Sequence, residues 1–266
     1  MSLRIALMTD IHYADTNPRC NRFYRESIFK VREAVNVLRP RMPHVAVHLG
    51  DLIDGPQRRD SLAEIQNLRT IEAEFRRLAP FRSYVLGNHC LNTMAKGQYL
   101  ATVGQRKSYF SYDMGGWHIV VLDGCFREDG AAYAPGQFTW NNSEVPEPQR
   151  EWLEADLART NRPTVVFCHQ RLDMEGNAQM GVHSSQIVRQ ILRRSGKVKA
   201  VFMGHSHANE LKVIDGIPYA TLRAMVEGSG PTNSGYSLLT LRNNGTVFLE
   251  GFRGHAFHPL SRQPAA

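Results

Sequence analysis

The chain has 266 residues, 42% of them hydrophobic, and a formal net charge of +7. This apolar content supports a large core and excludes a disordered chain. The lack of a signal peptide, or of an apolar run near the roughly 20 residues that span a bilayer, predicts a cytoplasmic protein without membrane contact. Four cysteines without paired spacing do not indicate a zinc knuckle or a disulfide framework, and arginines interspersed with glutamates do not indicate nucleic-acid binding.

The first third of the chain predicts strands alternating with helices. A short apolar run with no charge after Arg4 is typical of a strand covered on both faces. The predicted elements are strands at 3–10, 44–49 and 82–86 and helices at 21–38 and 61–78. This β-α-β-α-β order predicts parallel pairing with right-handed crossovers.

The remaining chain predicts two more helices and a longer series of strands. The helices are predicted at 148–160 and 184–194, and the strands at 108–112, 117–122, 164–167, 198–203, 210–215, 219–222, 236–241 and 247–251. A polar insertion at 124–148 carries Tyr133, Phe138 and Trp140, which can stack on a base or pack within the insertion. Because no linker or internal repeat interrupts the pattern, we predict a single domain over residues 1–266.

Five of the predicted strands end at residue types that bind metals. These residues are Asp10 and His12, Asp51, Asn88 and His89, His169, and His205 and His207. Open α/β sheets place their ligands at the carboxyl ends of strands. Oxygen and imidazole ligands without a thiolate suit divalent ions such as Mn, Fe and Zn. A glycine precedes Asp51, Asn88 and His205, which lets the backbone turn sharply and approach a ligand closely.

The order of these motifs resembles the calcineurin-like metallophosphoesterase superfamily. The motifs are Asp-x-His, Gly-Asp-x-x-Asp, Gly-Asn-His, a lone His and Gly-His-x-His, and they extend over residues 8–207. The resemblance implies a four-layer α-β-β-α sandwich with two mixed β-sheets and a dinuclear metal site at the C-terminal edge of the strands. The antiparallel strands of residues 210–252 are then expected in the second sheet.

The resemblance also implies a role for each motif residue. Asp51 would bridge two divalent ions, Mn, Fe or Zn with Mn or Fe favoured, and His89 would be the catalytic residue near the leaving group. The other ligands would be Asp10, His12 and His207 for one ion and Asn88, His169 and His205 for the other. Two such ions about 3.5–4 Å apart can share a hydroxide and clamp phosphoryl oxygens for in-line attack. The expected function is two-metal hydrolysis of a phosphoester by a metal-bridging hydroxide.

The chain departs from many members of this superfamily at one position. They carry an acid after Gly-Asn-His, whereas this chain has Cys90. A thiol at neutral pH does not raise the pKa of a neighbouring imidazole as a carboxylate does. His89 can therefore act as a charged acid only if Asp54 or another acid substitutes, and Cys90 is interpreted as a small buried hydrophobe.

Three stretches, at 22–27, 50–55 and 87–91, are similar to Mn-dependent ADP-ribose/CDP-alcohol diphosphatases. This similarity implies a small phosphorylated substrate, either a phosphodiester or a nucleotide-type diphosphate. A phosphomonoesterase and a cyclic-nucleotide phosphodiesterase remain alternatives, as does a metal-binding scaffold without catalysis. The glycine-rich segment 228–235 lacks the lysine of a nucleoside-triphosphate loop, and it predicts a flexible loop near the site.

Overall fold

The structure is a computed structural model that describes residues 2–54, 61–137, 139–175, 179–255 and 258–260. Phe138, one of the three aromatic residues of the insertion, lies outside these ranges, as does Gly55 at the end of the second motif. A single domain over residues 1–266 stays a prediction of the sequence.

The described ranges hold twelve strands and five α-helices. The strands are β1 (Ser2–Met8), β2 (Val45–His48), β3 (Phe81–Tyr84), β4 (Phe110–Met114), β5 (Trp117–Val121), β6 (Thr164–Phe167), β7 (Val198–Met203), β8 (Glu210–Ile214), β9 (Ile217–Thr221), β10 (Gly235–Arg242), β11 (Val247–Arg253) and β12 (His258–Pro259). The helices are α1 (Ser27–Leu38), α2 (Ser61–Phe75), α3 (Lys96–Val103), α4 (Glu147–Arg159) and α5 (Ser185–Ser195).

The strands form two mixed six-stranded sheets. The first has the order β12-β11-β10-β1-β2-β3, in which β1, β2 and β3 are parallel. The second has the order β4-β5-β6-β7-β9-β8, in which β5, β6, β7 and β9 are parallel. The parallel strands occupy the centre of each sheet, where both faces are covered.

The expected placement of residues 210–252 in the second sheet is only half right. β8 and β9 join that sheet, but β10 pairs antiparallel with β1 and carries β11 into the first sheet. β9 also runs parallel to β7, so these strands are not all antiparallel. The alternating pattern shows that a strand has one buried face, but not which of two sheets covers it.

Alternation along β1 explains how the layers form. Leu3, Ile5 and Leu7 lie in the core between the two sheets, whereas Ala6 and Met8 face the helices on the outer side. Helices α1 and α2 cover the first sheet, and α4 and α5 cover the second. The result confirms the expected four-layer α-β-β-α sandwich.

Two helices differ from the sequence prediction. The helix predicted from residue 21 begins with a 3-10 turn at Tyr24–Glu26 and becomes α-helical at Ser27. Helix α3 was not predicted, although Gly104 after its last residue has a φ of +72°, the left-handed conformation typical of a helix end. No helix in the part of the chain that the structure describes is long and apolar enough to cross a membrane.

Candidate metal centre

The seven predicted metal ligands lie together at one edge of the sandwich. Here the carboxyl ends of β1, β2 and β3 meet those of β6 and β7. The amide of Asp10 donates to the carbonyl of Gly50 at 3.0 Å, and the amide of His205 donates to Asp10 Oδ2 at 3.1 Å. Overlapping groups of ligand atoms, each within 4.8 Å, join Asp10, His12, Asp51, His169, His205 and His207. Asn88 directly precedes His89, whose amide donates to Asp51 Oδ1 at 2.8 Å.

One group of side chains draws on both sheets, with two residues after β1 in the first sheet and one after β7 in the second. Asp10 Oδ1 lies 3.5 Å from His12 Nε2 and 3.4 Å from His207 Nε2. The two imidazole Nε2 atoms are 3.2 Å apart. All three atoms therefore point at the same small volume, as the ligands of one ion would, and we call these three residues the first half of the centre.

Asp51, His169 and His205 form a second group, whose ligand atoms lie within 4.8 Å of one another. Asp51 Oδ2 is 3.1 Å from His169 Nε2 and 3.7 Å from His12 Nε2, so this oxygen lies between the two groups. Asn88 is buried at the same edge, one residue before His89. We call Asn88, His169 and His205 the second half of the centre.

Unpartnered polar atoms are concentrated in this centre. Within the described residues, four buried ligand atoms here have no hydrogen-bond partner, namely Asp10 Oδ1, Asn88 Oδ1, His169 Nε2 and His205 Nε2. Burying such an atom without a partner costs about 1–3 kcal/mol. All four are oxygen or imidazole nitrogen atoms of the kind that bind a divalent cation, so the residues fit two metal ions.

The imidazoles are held so that Nε2 faces the centre. His12 Nδ1 lies 3.2 Å from Asp54 Oδ2, and His207 Nδ1 lies 2.9 Å from Glu227 Oε1. His169 Nδ1 lies 2.8 Å from the carbonyl oxygen of Leu49. Because each of these oxygens accepts a hydrogen bond from Nδ1–H, the lone pair is on Nε2, which is the tautomer that binds metal.

The electrostatics of the two halves differ. Burial lowers the pKa of His207, but the nearby carboxylates of Asp10 and Glu227 outweigh burial and raise it to about 9. Burial, together with the neighbouring His169, lowers the pKa of His205 to about 3. Burial alone would raise the pKa of Asp51, yet the imidazoles of His169 and His89 hold it well below its usual value. The centre therefore contains an ionised carboxylate and imidazoles of unequal basicity.

Two motif glycines allow side chains to approach each other closely. A Cβ at Gly87 would lie 2.2 Å from Asp51 Oδ1, and one at Gly204 would lie 2.6 Å from Asp10 Oδ2. Both distances are far below van der Waals contact. The glycines therefore make room for ligands from neighbouring strands, as the sequence predicted.

The backbone of the centre has an unusual conformation. Five of its candidate ligands have positive φ values of 44–71°, namely Asp10, His12, Asp51, His205 and His207. Residues other than glycine rarely adopt this left-handed region, and such residues cluster at functional sites. The sequence motifs did not predict this feature.

His89 is oriented by Asp54 and not by its neighbour Cys90. His89 Nδ1 lies 2.9 Å from Asp54 Oδ1, while the other oxygen of Asp54 contacts His12. Cys90 is fully buried in the core, and burial raises the pKa of its thiol to about 12. The acid missing after Gly-Asn-His is therefore replaced by the second aspartate of Gly-Asp-x-x-Asp, and Cys90 is a small buried hydrophobe.

Several side chains around the centre were missed or left undecided by the sequence. Glu227 belongs to no motif and approaches His207 only through the fold. Tyr133 is buried, and its hydroxyl donates to the carbonyl of Asn142, which favours packing within the insertion. Trp140 is 42% exposed, and its ring centroid lies 6.2 Å from that of His205. Arg22 lies beside Asp54, with Nη1 3.4 Å from Oδ2.

Comparison with known proteins identifies the family. A model of the calcineurin-like phosphoesterases matches residues 3–209. The chain belongs to the calcineurin-like phosphoesterase family. It is accordingly a metal-dependent phosphoesterase, which confirms that prediction and leaves a non-catalytic scaffold without support.

Individual relatives agree with this assignment. The chain is 27% identical over 248 residues to the serine/threonine-protein phosphatase CPPED1 of zebrafish, covering 86% of this chain and 72% of the relative. It shares the fold of a zebrafish dimetal phosphatase, with a TM-score of 0.82 at 20% identity over 96% of this chain and 97% of the other. The NAD nucleotidase of Haemophilus influenzae has the same fold over 94% of this chain and 49% of its own, with a TM-score of 0.56 at 15% identity.

Proposed function

We propose that this phosphoesterase binds two divalent ions, Mn or Fe, with Asp51 shared between them. The first half of the centre, Asp10, His12 and His207, would hold one ion, and the second half, Asn88, His169 and His205, would hold the other. The observation that carries this proposal is the set of buried, unpartnered ligand atoms around Asp51 Oδ2. Cations bound at these positions would satisfy those atoms and offset the cost of burying them.

Two ions at these positions would lower the pKa of a bound water and neutralise charge on the phosphoryl oxygens. His89 would protonate the leaving oxygen or stabilise the charge that develops there. Its Nδ1 is engaged by Asp54, so Nε2 is the nitrogen that remains for the substrate. The side chain of His89 is 25% exposed, which gives a substrate access to it.

We further propose that the substrate carries a nucleotide-type group, as a diphosphate or a phosphodiester. Two side chains at the mouth of the centre support this proposal. Trp140 presents an exposed ring next to His205, where a planar base can stack. Arg22 places a guanidinium beside Asp54, and a guanidinium suits a phosphate oxygen.

The turn that carries Trp140 is well anchored. The hydroxyl of Tyr133 donates to the carbonyl of Asn142, and the Asn142 amide donates to the carbonyl of Thr139. The hydroxyl of Ser143 donates to the carbonyl of Gly124. A ring on such a turn loses little conformational freedom when a ligand stacks on it.

Metal-dependent turnover tests the core of the proposal. The protein is first treated with a chelator and then assayed with bis-p-nitrophenyl phosphate during titration with Mn²⁺. We expect no turnover without metal and saturable turnover as two equivalents bind, measured in parallel by calorimetry. Two bound ions without turnover on this ester or on any member of the panel below would disprove the proposed function.

A phosphomonoesterase is the alternative that the relatives favour, because two of them are named phosphatases. A panel of ADP-ribose, CDP-choline, cyclic AMP and p-nitrophenyl phosphate separates the possibilities. The proposal expects kcat/KM to be highest for ADP-ribose or CDP-choline. A preference for p-nitrophenyl phosphate would favour the monoesterase, and a preference for cyclic AMP would favour the cyclic-nucleotide phosphodiesterase. The cytoplasmic location stays a prediction of the sequence.

A further inference from the structure

Lys30 is a fully buried lysine whose ammonium group is surrounded by main-chain carbonyls. Its Nζ donates to carbonyl oxygens at distances of 2.6–3.0 Å. These carbonyls belong to Met225, Glu227, Gly228 and Asn233, all in the loop that leads into β10. An ammonium group has three N–H bonds, whereas four carbonyl oxygens lie within hydrogen-bond distance of it. The carbonyl dipoles therefore surround a positive charge, and they outnumber the hydrogen bonds that it can donate.

A negatively charged side chain at the N-terminal end of α1 also contacts this loop. Glu26 precedes α1 directly and accepts hydrogen bonds from the hydroxyl of Ser229 at 2.9 Å and the amide of Gly230 at 2.6 Å. Lys30 follows Glu26 by four residues, so both side chains lie on one face of the helix. Carbonyls of the loop thus meet a cation while its N–H and O–H donors meet an anion. The glycine-rich segment 228–235 is therefore fixed in place by hydrogen bonds to Lys30 and Glu26.

The loop is attached to the metal centre at its other side. The amide of Met225 donates to the carbonyl of Thr9 at 3.2 Å, and the amide of Val226 donates to the carbonyl of Asp10 at 3.1 Å. The next residue, Glu227, accepts from His207 Nδ1 at 2.9 Å. Lys30 binds the carbonyls of Met225 and Glu227, which are separated along the chain by Val226 alone. The residue whose carboxylate contacts His207 is therefore also bound by Lys30 through its carbonyl.

We propose that Lys30 is a positioning residue for the first half of the metal centre. Its ammonium serves as a built-in cation that shapes the loop, so that Glu227 holds His207 with Nε2 facing the metal. This inference rests on the proposed function in one respect, the role of His207 as a ligand. Burial lowers the pKa of Lys30 to about 8, while Glu26 and Glu227 oppose that change, so the amine is still mostly protonated at neutral pH.

The first test compares Lys30→Met with the unaltered protein, using calorimetry with Mn²⁺ on chelator-treated full-length chain. We expect two binding events in the unaltered protein, one of which weakens about tenfold in the variant, as expected for loss of a group that orients a metal ligand. The event that weakens should be the one that Glu227→Gln also weakens. Unchanged affinities, or weakening of the other event, would overturn the proposal. Fewer than two events in the unaltered protein would instead contradict the proposed function.

Lys197→Met provides a matched control. Lys197 Nζ also donates to a main-chain carbonyl, that of Leu157 at 2.7 Å, but on the outer helical layer of the second sheet. Lys197 is partly buried, and this variant loses its bond to Leu157, so it tests the loss of a lysine–carbonyl bond away from the loop. Both Mn²⁺ affinities should therefore remain those of the unaltered protein, and a loss equal to that of Lys30→Met would show a general effect of stability.

The second test separates charge from packing. Lys30→Ala removes three carbons and the amine, and propylammonium supplies those same atoms. We expect propylammonium to restore the weakened Mn²⁺ affinity, and 1-propanol, which has the same number of non-hydrogen atoms but no charge, to leave it weak. Equal rescue by both would show that only packing matters. Failure of propylammonium to restore either folding or affinity would also overturn the proposal.

Discussion

Both halves of the metal centre contain imidazole side chains, but different groups accept the hydrogen bond from Nδ1 of these imidazoles. In the first half, His12 and His207 rest on the carboxylates of Asp54 and Glu227. In the second half, His169 rests on the neutral carbonyl of Leu49. A carboxylate behind an imidazole raises its basicity more than a carbonyl does. The first half is therefore the more electron-rich, and an ion in the second half would remain the stronger Lewis acid.

The supports also differ in how they can be altered. Asp54 and Glu227 are side chains, so a substitution can remove either without moving the ligand's own strand. The carbonyl of Leu49 belongs to the main chain after β2 and is present whatever the side chain. Substitutions should therefore be able to weaken the first half alone, whereas the second half should change only with its ligands.

Asp51→Asn should have the largest effect, because Asp51 is the ligand that we propose both halves share. The amide keeps the shape but loses the negative charge between the halves, so both Mn²⁺ affinities should fall. We expect kcat to fall by at least about 10²–10³-fold, as when other charge-stabilising groups are lost from a transition state. Calorimetry and steady-state kinetics measure the two effects. Retained rate with two bound ions would show that Asp51 does not bridge.

Asp54→Asn should affect catalysis and only one half. Asp54 contacts both His89 and His12, so we expect kcat to fall about 10²-fold through the loss of support for His89 and one Mn²⁺ affinity to fall about 10–100-fold. Asp156→Asn is the matched control, because Asp156 Oδ2 supports His118 at 2.9 Å outside the metal centre. Loss of both Mn²⁺ affinities in Asp54→Asn would refute the independence of the halves.

Glu227→Gln should have a smaller and more selective effect. It removes the carboxylate behind His207, so we expect one Mn²⁺ affinity to fall about tenfold. Because Glu227 does not contact His89, kcat at saturating Mn²⁺ should stay close to that of the unaltered protein. A large fall in kcat at saturating metal would mean that the support of His207 also tunes the chemistry.

Trp140→Ala should leave both metal affinities unchanged and affect the substrate alone. Loss of one stacking contact costs about 1–3 kcal/mol, so KM for ADP-ribose should rise at least about fivefold, with little change for an alkyl phosphodiester. Trp140→Phe should keep much of the affinity. Trp152→Ala is the control, since its ring packs against Tyr109 at 5.0 Å. An equal rise in KM for ADP-ribose and for the alkyl phosphodiester would argue against stacking of Trp140 on the base of the substrate.

Local patterns in the sequence sufficed for most of the centre. The candidate ligands follow strand ends, and parallel strands bring those ends to a common edge of a sheet, so the motifs at the strand ends predicted that these residues lie close together. Glu227 and Lys30 could not be found in this way, because they act through a loop more than 190 residues from α1 along the chain, as the separation of Lys30 and Met225 shows. Long-range contacts of this kind leave no periodic pattern in the sequence.

The same limit applies to the fold. The pattern predicted the buried strands, but the choice between the two sheets for β10 and β11 depends on pairing with β1 at the other end of the chain. The role of His89 was uncertain for a related reason. Cys90 is adjacent in sequence but turns into the core, whereas Asp54, 35 residues away, lies against the imidazole.

The left-handed backbone of five candidate metal ligands has a consequence for evolution and engineering. Glycine adopts that conformation without the steric penalty that Asp and His incur. Glycine at Asp10, His12, Asp51, His205 or His207 would relieve that penalty but would also remove the side chain, such as the Asp10 carboxylate that accepts from the His205 amide. Selection for an unstrained backbone and selection for the side chain therefore oppose each other at these positions, which is a source of trade-offs between stability and activity. Engineering for heat resistance should begin in the outer helices and leave these five positions unchanged.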